Sequence, residues 1–180
     1  SDIENWYGSP KTAELPAIWH FDTGMNRLGI KSDETEILLD RLSEDTEFAQ
    51  KHVPAMIMSH LSCADVPTHP LNYVQHKKFE KIVDYFPRVP VTFANSSGIF
   101  CDPKFHYHQV RPGMSLYGLN PTPGSDNPMA PAVSYYARIL QVSNTLIGET
   151  AGYNAMHIFP EDTTVATIAT GYKDGFLRSC

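Results

Sequence analysis

The residues of this chain best suited to joint chemistry lie in two short runs. The first is Ala94-Asn95-Ser96-Ser97-Gly98, directly after the apolar run Val89-Pro90-Val91-Thr92-Phe93. The second is Val110-Arg111-Pro112-Gly113-Met114-Ser115. Each reads as a strand end that delivers hydroxyls, amides or bare backbone N–H groups to a sheet edge. Such groups converge well on a phosphate, and Gly113 lets the main chain come close. In (β/α)8 barrels phosphate sites commonly sit on the loops after the last two strands. The same residues also suit a polar turn leading into a helix N-cap, so the runs alone leave both readings open.

Wider stretches carry a family resemblance. Ala94 to Gly98 followed by Val110 to Gly118 resembles the alanine racemase signature. So do His20-Phe21-Asp22-Thr23-Gly24-Met25-Asn26-Arg27-Leu28-Gly29 and Ser59-His60-Leu61-Ser62-Cys63-Ala64-Asp65. Gly148-Glu149-Thr150-Ala151-Gly152-Tyr153 and the run from Ala169 to Arg178 complete the set, in the family's order and across nearly the whole chain. The resemblance implies a pyridoxal phosphate (PLP) enzyme of fold type III that interconverts L- and D-alanine and supplies D-alanine for cell-wall peptidoglycan. It implies the second half of a (β/α)8 TIM-type barrel followed by the start of a mainly-β C-terminal domain. It also implies a homodimer whose active site is shared between subunits. The family's Schiff-base lysine belongs to a Lys-Ala-Asn-Ala-Tyr-Gly type motif that this sequence does not contain. The chain therefore reads as an internal piece of a longer parent, expected not to racemise alanine by itself.

The resemblance assigns residues as well. Asn95 and Ser96, with the backbone N–H groups of Gly113 and Met114, would cradle the cofactor phosphate. Arg111, fifteen residues after Ser96, would contact the pyridine nitrogen. Many PLP enzymes place an Asp there and keep that nitrogen protonated. A permanently charged Arg instead donates a hydrogen bond and disfavours protonation. His60 would stand behind Arg111 and fix its angle. Arg27 would hold the substrate carboxylate, for which an Arg fork is well shaped. Tyr153 would be the second catalytic base, and Asp65, Tyr172 and Arg178 would line the entrance. In many relatives a carbamylated Lys orients the Arg at the Arg27 position; here that Lys is replaced by His20. A PLP amino-acid decarboxylase of the same architecture is the next reading, but its Cys-Gly-Glu type signature is lacking. A non-catalytic PLP-binding relative would have no β domain.

Elements must carry these residues to one place. Ala17 to Phe21, Pro54 to Met58 and the run before Ala94 read as strands about 35 residues apart, the rhythm of a parallel sheet or barrel. Ser32 is a good N-cap for a helix with Ile37, Leu38 and Leu42. Phe79, Ile82, Val83 and Phe86 recur at helical spacing, and Pro87 ends that helix. About four such strands fit before Gly118, too few to close an eight-strand barrel. Residues 119–131 are rich in Pro, Asn and Gly, which places a boundary between a barrel part, 1–124, and a β part, 125–180. In the latter, Val133 to Val142 and Thr163 to Ala169 read as strands.

Composition narrows the rest. Apolar residues at 42% and charged residues at 19% describe an ordinary globular chain. A net charge of −6 without a basic cluster argues against nucleic-acid or anionic-membrane partners. No apolar run approaches the roughly 20 residues of a membrane span, and the start has no signal-peptide pattern. Cys63, Cys101 and Cys180 form no paired motif and read as free thiols, so the expected location is cytoplasmic. His106-Tyr107-His108 is the nearest approach to a metal motif and reads as an exposed strand start, so no metal is expected.

Overall fold

Four short strands deliver the polar runs to one edge of a parallel sheet in the computed structural model, which describes residues 2–176. They are β1 (Ile18–His20), β2 (Met56–Met58), β3 (Val91–Asn95) and β4 (Gln109–Arg111), neighbours in that order. Trp19 pairs with Ile57, Ile57 with Val91 and Asn95 with Arg111, so the strand ends lie side by side. Helices α1 (Asp2–Gly8), α2 (Ser32–Glu44), α3 (Thr46–Lys51), α4 (Pro70–Val83) and α5 (Ser96–Cys101) fill the connections. Strand β3 is buried on both faces from Val91 to Ala94, as a central parallel strand should be. Helix α4 lays Phe79 and Ile82 on the sheet. Phe79 stacks on Phe93 with ring centres 5.1 Å apart, and Phe105 meets Phe93 edge-on at 5.5 Å.

Local chemistry moves several expected boundaries. Lys31, not Ser32, is the N-cap of α2: the Glu34 carboxylate accepts the Lys31 backbone N–H at 3.2 Å, which puts Ser32 inside the helix. Helix α4 ends at Val83, before Pro87; the chain turns there with the Phe86 N–H donating to the Val83 carbonyl and Phe86 still buried. The described residues divide into one unit that runs to Val133 and another from Ser134. The Asn120 and Asn127 side chains bond to Ser125 and Gly118 carbonyls, each at 2.9 Å, and keep the 119–131 loop with the sheet unit.

The second unit is built from β5 (Ile139–Thr145), β6 (Thr150–Ala151), β7 (His157–Ile158) and β8 (Thr163–Ile168). Strand β5 runs antiparallel to β8, and β6 to β7. The expected strand at Val133 begins only at Ile139, where β8 first offers a partner. Phe159 is the only buried side chain among the described residues of this unit. No described helix is long and apolar enough to cross a membrane.

Candidate active site

Arg111 is the last residue of β4, and its guanidinium reaches back across the sheet edge. Nη1 donates to Thr92 Oγ1 at 2.7 Å, and Nη2 donates to the Ser59 carbonyl at 2.7 Å and the Phe93 carbonyl at 3.3 Å. Strands β2 and β3 thus hold the planar group in one orientation, which a flexible ammonium would not accept. Among the described residues nothing takes the Arg111 Nε–H.

His60, just past β2, sits beside this guanidinium. Its Nδ1 is 3.4 Å from Arg111 Nη2, and its Nε2 is 3.4 Å from Asn95 Nδ2. Both neighbours present donors. A neutral imidazole accepts from one of them, and an imidazolium from neither. Burial, then the charges of Arg111 and Arg27 and the nearby His20, push the His60 pKa down to about 4. Burial likewise lowers His76, which packs between Phe93, Phe105 and Tyr107 and meets the Tyr107 hydroxyl at 3.1 Å.

These two groups set an acid limit. An unfolded His titrates near 6.5, so as pH falls the unfolded chain takes up protons first. The stabilisation is complete above about pH 6.5 and falls away as pH drops below it, for His60 down to about pH 4. Thermal melting followed by circular dichroism should therefore give a lower midpoint at pH 5 than at pH 7.5. His60→Gln should flatten part of that decline.

Strand β3 ends in the phosphate-type run. Asn95 caps α5, its Oδ1 accepting the Gly98 N–H at 2.9 Å, while its Nδ2 donates to the Leu61 carbonyl at 3.1 Å. The polar-turn reading therefore holds for Asn95, whose side chain is engaged in capping and bracing. Ser96 is buried, and its Oγ accepts the Gly113 N–H at 2.8 Å, which joins the ends of β3 and β4. The Ser96 hydroxyl hydrogen can still be given to a ligand, because Oγ takes the Gly113 bond as acceptor. A Cβ at Gly113 would meet nothing nearer than Ser96 Oγ at 3.9 Å, so there is room in front of this backbone. Met114 follows and opens a short helical turn, Met114–Tyr117.

The loop after β1 is tied at its neck. Asp22 N–H donates to the Ile30 carbonyl and Ile30 N–H to the His20 carbonyl. Asp22 Oδ1 accepts the N–H groups of Gly24, Met25 and Asn26, and Oδ2 pairs with Lys31. Burial works to raise the Asp22 pKa, but Lys31 and the backbone donors prevail and hold it at about 2. Gly29 has φ +109°, and a Cβ there would lie 2.7 Å from the His20 carbonyl oxygen, so only glycine closes this loop. Arg27 rides the loop exposed. It is near enough to lower the pKa of His20, although burial and Arg111 act more strongly on that ring.

The sheet edge thus gathers His60, Asn95, Ser96, Arg111, Gly113 and Met114. Arg27 and Asp65 are exposed on loops of the same unit. Tyr153 and Tyr172 are exposed on turns of the second unit, and Arg178 lies outside the described residues. Among the described residues no cluster of His, Cys, Asp or Glu could hold a metal ion. His106 and His108 are instead taken up by backbone, meeting the Ile99 carbonyl at 2.7 Å and the Val91 N–H at 3.1 Å ahead of β4.

Sequence reasoning missed Ser59, Thr92 and Gln75. Ser59 and Thr92 are polar residues on apolar runs, and that was the available signal; Gln75, among Asn72, His76 and Lys77, shows only its helical spacing to Phe79.

The profile of the alanine racemase N-terminal domain matches residues 5–121, and that of the alanine racemase C-terminal domain matches 132–180. An alanine racemase of Rhodospirillum rubrum is 44% identical over 179 residues, which are 98% of this chain and 47% of that protein. One from Rhizobium meliloti is 41% identical over 91% of this chain and 42% of its own length. The crystal structure of alanine racemase from Bartonella henselae with covalently bound pyridoxal phosphate superposes with a TM-score of 0.74. That match has 32% identity and covers 98% of this chain and 49% of that one. The chain spans about half the length of the curated relatives it matches.

Proposed function

The chain belongs to the alanine racemase family, and from this premise we propose that it supplies part of a PLP-dependent enzyme that interconverts L- and D-alanine. The observation that carries the reading is the Arg111 guanidinium, fixed by Thr92, Ser59 and Phe93 with its Nε–H left to give. Beside it, Ser96 Oγ and the Gly113 backbone leave room for a phosphate. In this reading β1 to β4 are the second half of a (β/α)8 barrel, and the unit from Ser134 begins the β domain.

Bound PLP supplies an electron sink that acidifies the Cα–H of an amino acid. The Gly113 N–H is spent on Ser96 Oγ, so the Ser96 hydroxyl and the Met114 N–H would hold its phosphate, with Gly113 keeping the approach open and Asn95 bracing the turn. Arg111, with its Nε–H left to give, would face the pyridine nitrogen, and its fixed positive charge would disfavour a proton there. His60, held neutral, backs the guanidinium. Arg27 binds the alanine carboxylate. Tyr153 exchanges a proton with Cα on one face, reaching the site of the other subunit in a homodimer. Asp65, Tyr172 and Arg178 line the entrance. D-Alanine made in the cytoplasm would serve peptidoglycan synthesis.

The test is chiral chromatography of L-alanine incubated with PLP and the full-length protein. D-Alanine should accumulate toward an equal mixture. Release of carbon dioxide and ethylamine, or no change, would contradict the proposal. The 180-residue chain assayed alone should give no turnover, because it lacks the family's lysine motif.

A further inference from the structure

Gln75 is fully buried on α4, on the same side as Phe79, and its amide uses both ends. Its Nε2 donates to the His60 carbonyl at 2.9 Å and to Thr23 Oγ1 at 3.3 Å. Its Oε1 accepts the Ser62 N–H at 3.0 Å and the Ser62 hydroxyl at 2.9 Å. Thr23 Oγ1 in turn meets Ser59 Oγ at 2.8 Å, and the Ser59 carbonyl is one of the anchors of Arg111. Gly24 lies against the Gln75 stem, where a Cβ would be 3.4 Å from its Cγ. One side chain therefore joins two loops that no backbone ladder joins. The loop after β1 carries Arg27, and the loop after β2 carries His60 and Asp65.

We propose that Gln75 is the positioning residue of this site, holding the Arg27 loop and the His60 loop in one arrangement behind Arg111. A buried amide with two donors and an acceptor oxygen all matched is rigid and tolerates no apolar substitute. Gln75→Met keeps the length and leaves the Ser62 N–H and the His60 carbonyl without their partner. Gln75→Glu keeps the shape. Its one oxygen still accepts from Ser62, but the other faces the His60 carbonyl and Thr23. It can donate there only while the carboxyl is protonated, a form that burial favours. What the two loops do for substrate rests on the racemase reading; the link between them does not.

The experiment is hydrogen exchange of the full-length protein without substrate, read as protection factors at Gly24 to Asn26 and at Ser62 to Asp65. Gln75→Met should lower protection about tenfold or more in both loops together and leave α2 unchanged. Gln75→Glu should match the parent protein at low pH and lose protection in both loops at high pH. If Gln75→Met fails to fold, the Glu series decides alone. Unchanged protection in a folded Gln75→Met variant, or a pH-independent Gln75→Glu variant, overturns the proposal. In the racemisation assay, the KM for alanine should rise in Gln75→Met and recover in Gln75→Glu at low pH. Coupled loosening of the loops in a protein that does not racemise alanine would keep the positioning role and sink the racemase reading.

Discussion

Replacing Tyr153 by Phe in the full-length protein should slow racemisation by roughly 10²-fold or more, the usual worth of a positioned acid–base group. Racemisation needs proton transfer on both faces of Cα, because a single base would mostly return the proton where it came from. Tyr153 is 85% exposed, so no core depends on its ring. Gly152, Asn154 and Ala155 around it all have positive φ, at 79°, 60° and 50°. Backbone in this region is costly for the two non-glycine residues, and such turns cluster at functional sites. Phe keeps the ring and removes only the hydroxyl, so the melting temperature should not move. Exchange of the Cα proton with solvent should persist on the opposite face and become unequal between L- and D-alanine. Equal and undiminished rates from both enantiomers would make Tyr153 a surface aromatic.

Arg111→Lys should cost a comparable factor, about 10² in racemisation, as loss of a preorganised donor does elsewhere. The charge survives, but an ammonium cannot span Thr92 Oγ1, the Ser59 carbonyl and the Phe93 carbonyl and still present an N–H to a ligand. Nor can it set a donor plane beside His60. Titration of the full-length variant with PLP should show weaker binding and an altered absorption spectrum of the bound cofactor. A variant with the parent's spectrum and rate would show that the guanidinium only braces the sheet.

How much of this was legible in the sequence depends on the length scale of the interaction. The strand rhythm up to Gly118 follows from apolar runs and turn residues: β1 to β3 lie on those runs, while β4 is marked only by the Arg-Pro-Gly that follows it. Asn95 as a helix cap is a local property and could be read from its neighbours. The anchors of Arg111 were not legible, because Ser59 and Thr92 lie 52 and 19 residues away from it and meet it only through sheet pairing. Gln75 was hidden for the same reason, although a polar residue four positions before Phe79 on a buried helix face was a hint. The start of α2 was misread because Glu34 caps the Lys31 backbone, so that Ser32, the better N-cap by type, is not needed there.

The central claim is that one cofactor lies across the ends of β3 and β4. A crystal structure of the full-length protein with PLP tests it most directly. The phosphate should sit within hydrogen-bond distance of Ser96 Oγ and the Met114 N–H, with the pyridine nitrogen on Arg111 Nε. A phosphate bound elsewhere, or an Arg111 that keeps its Thr92 and Ser59 partners while no ligand reaches its Nε, would contradict the account.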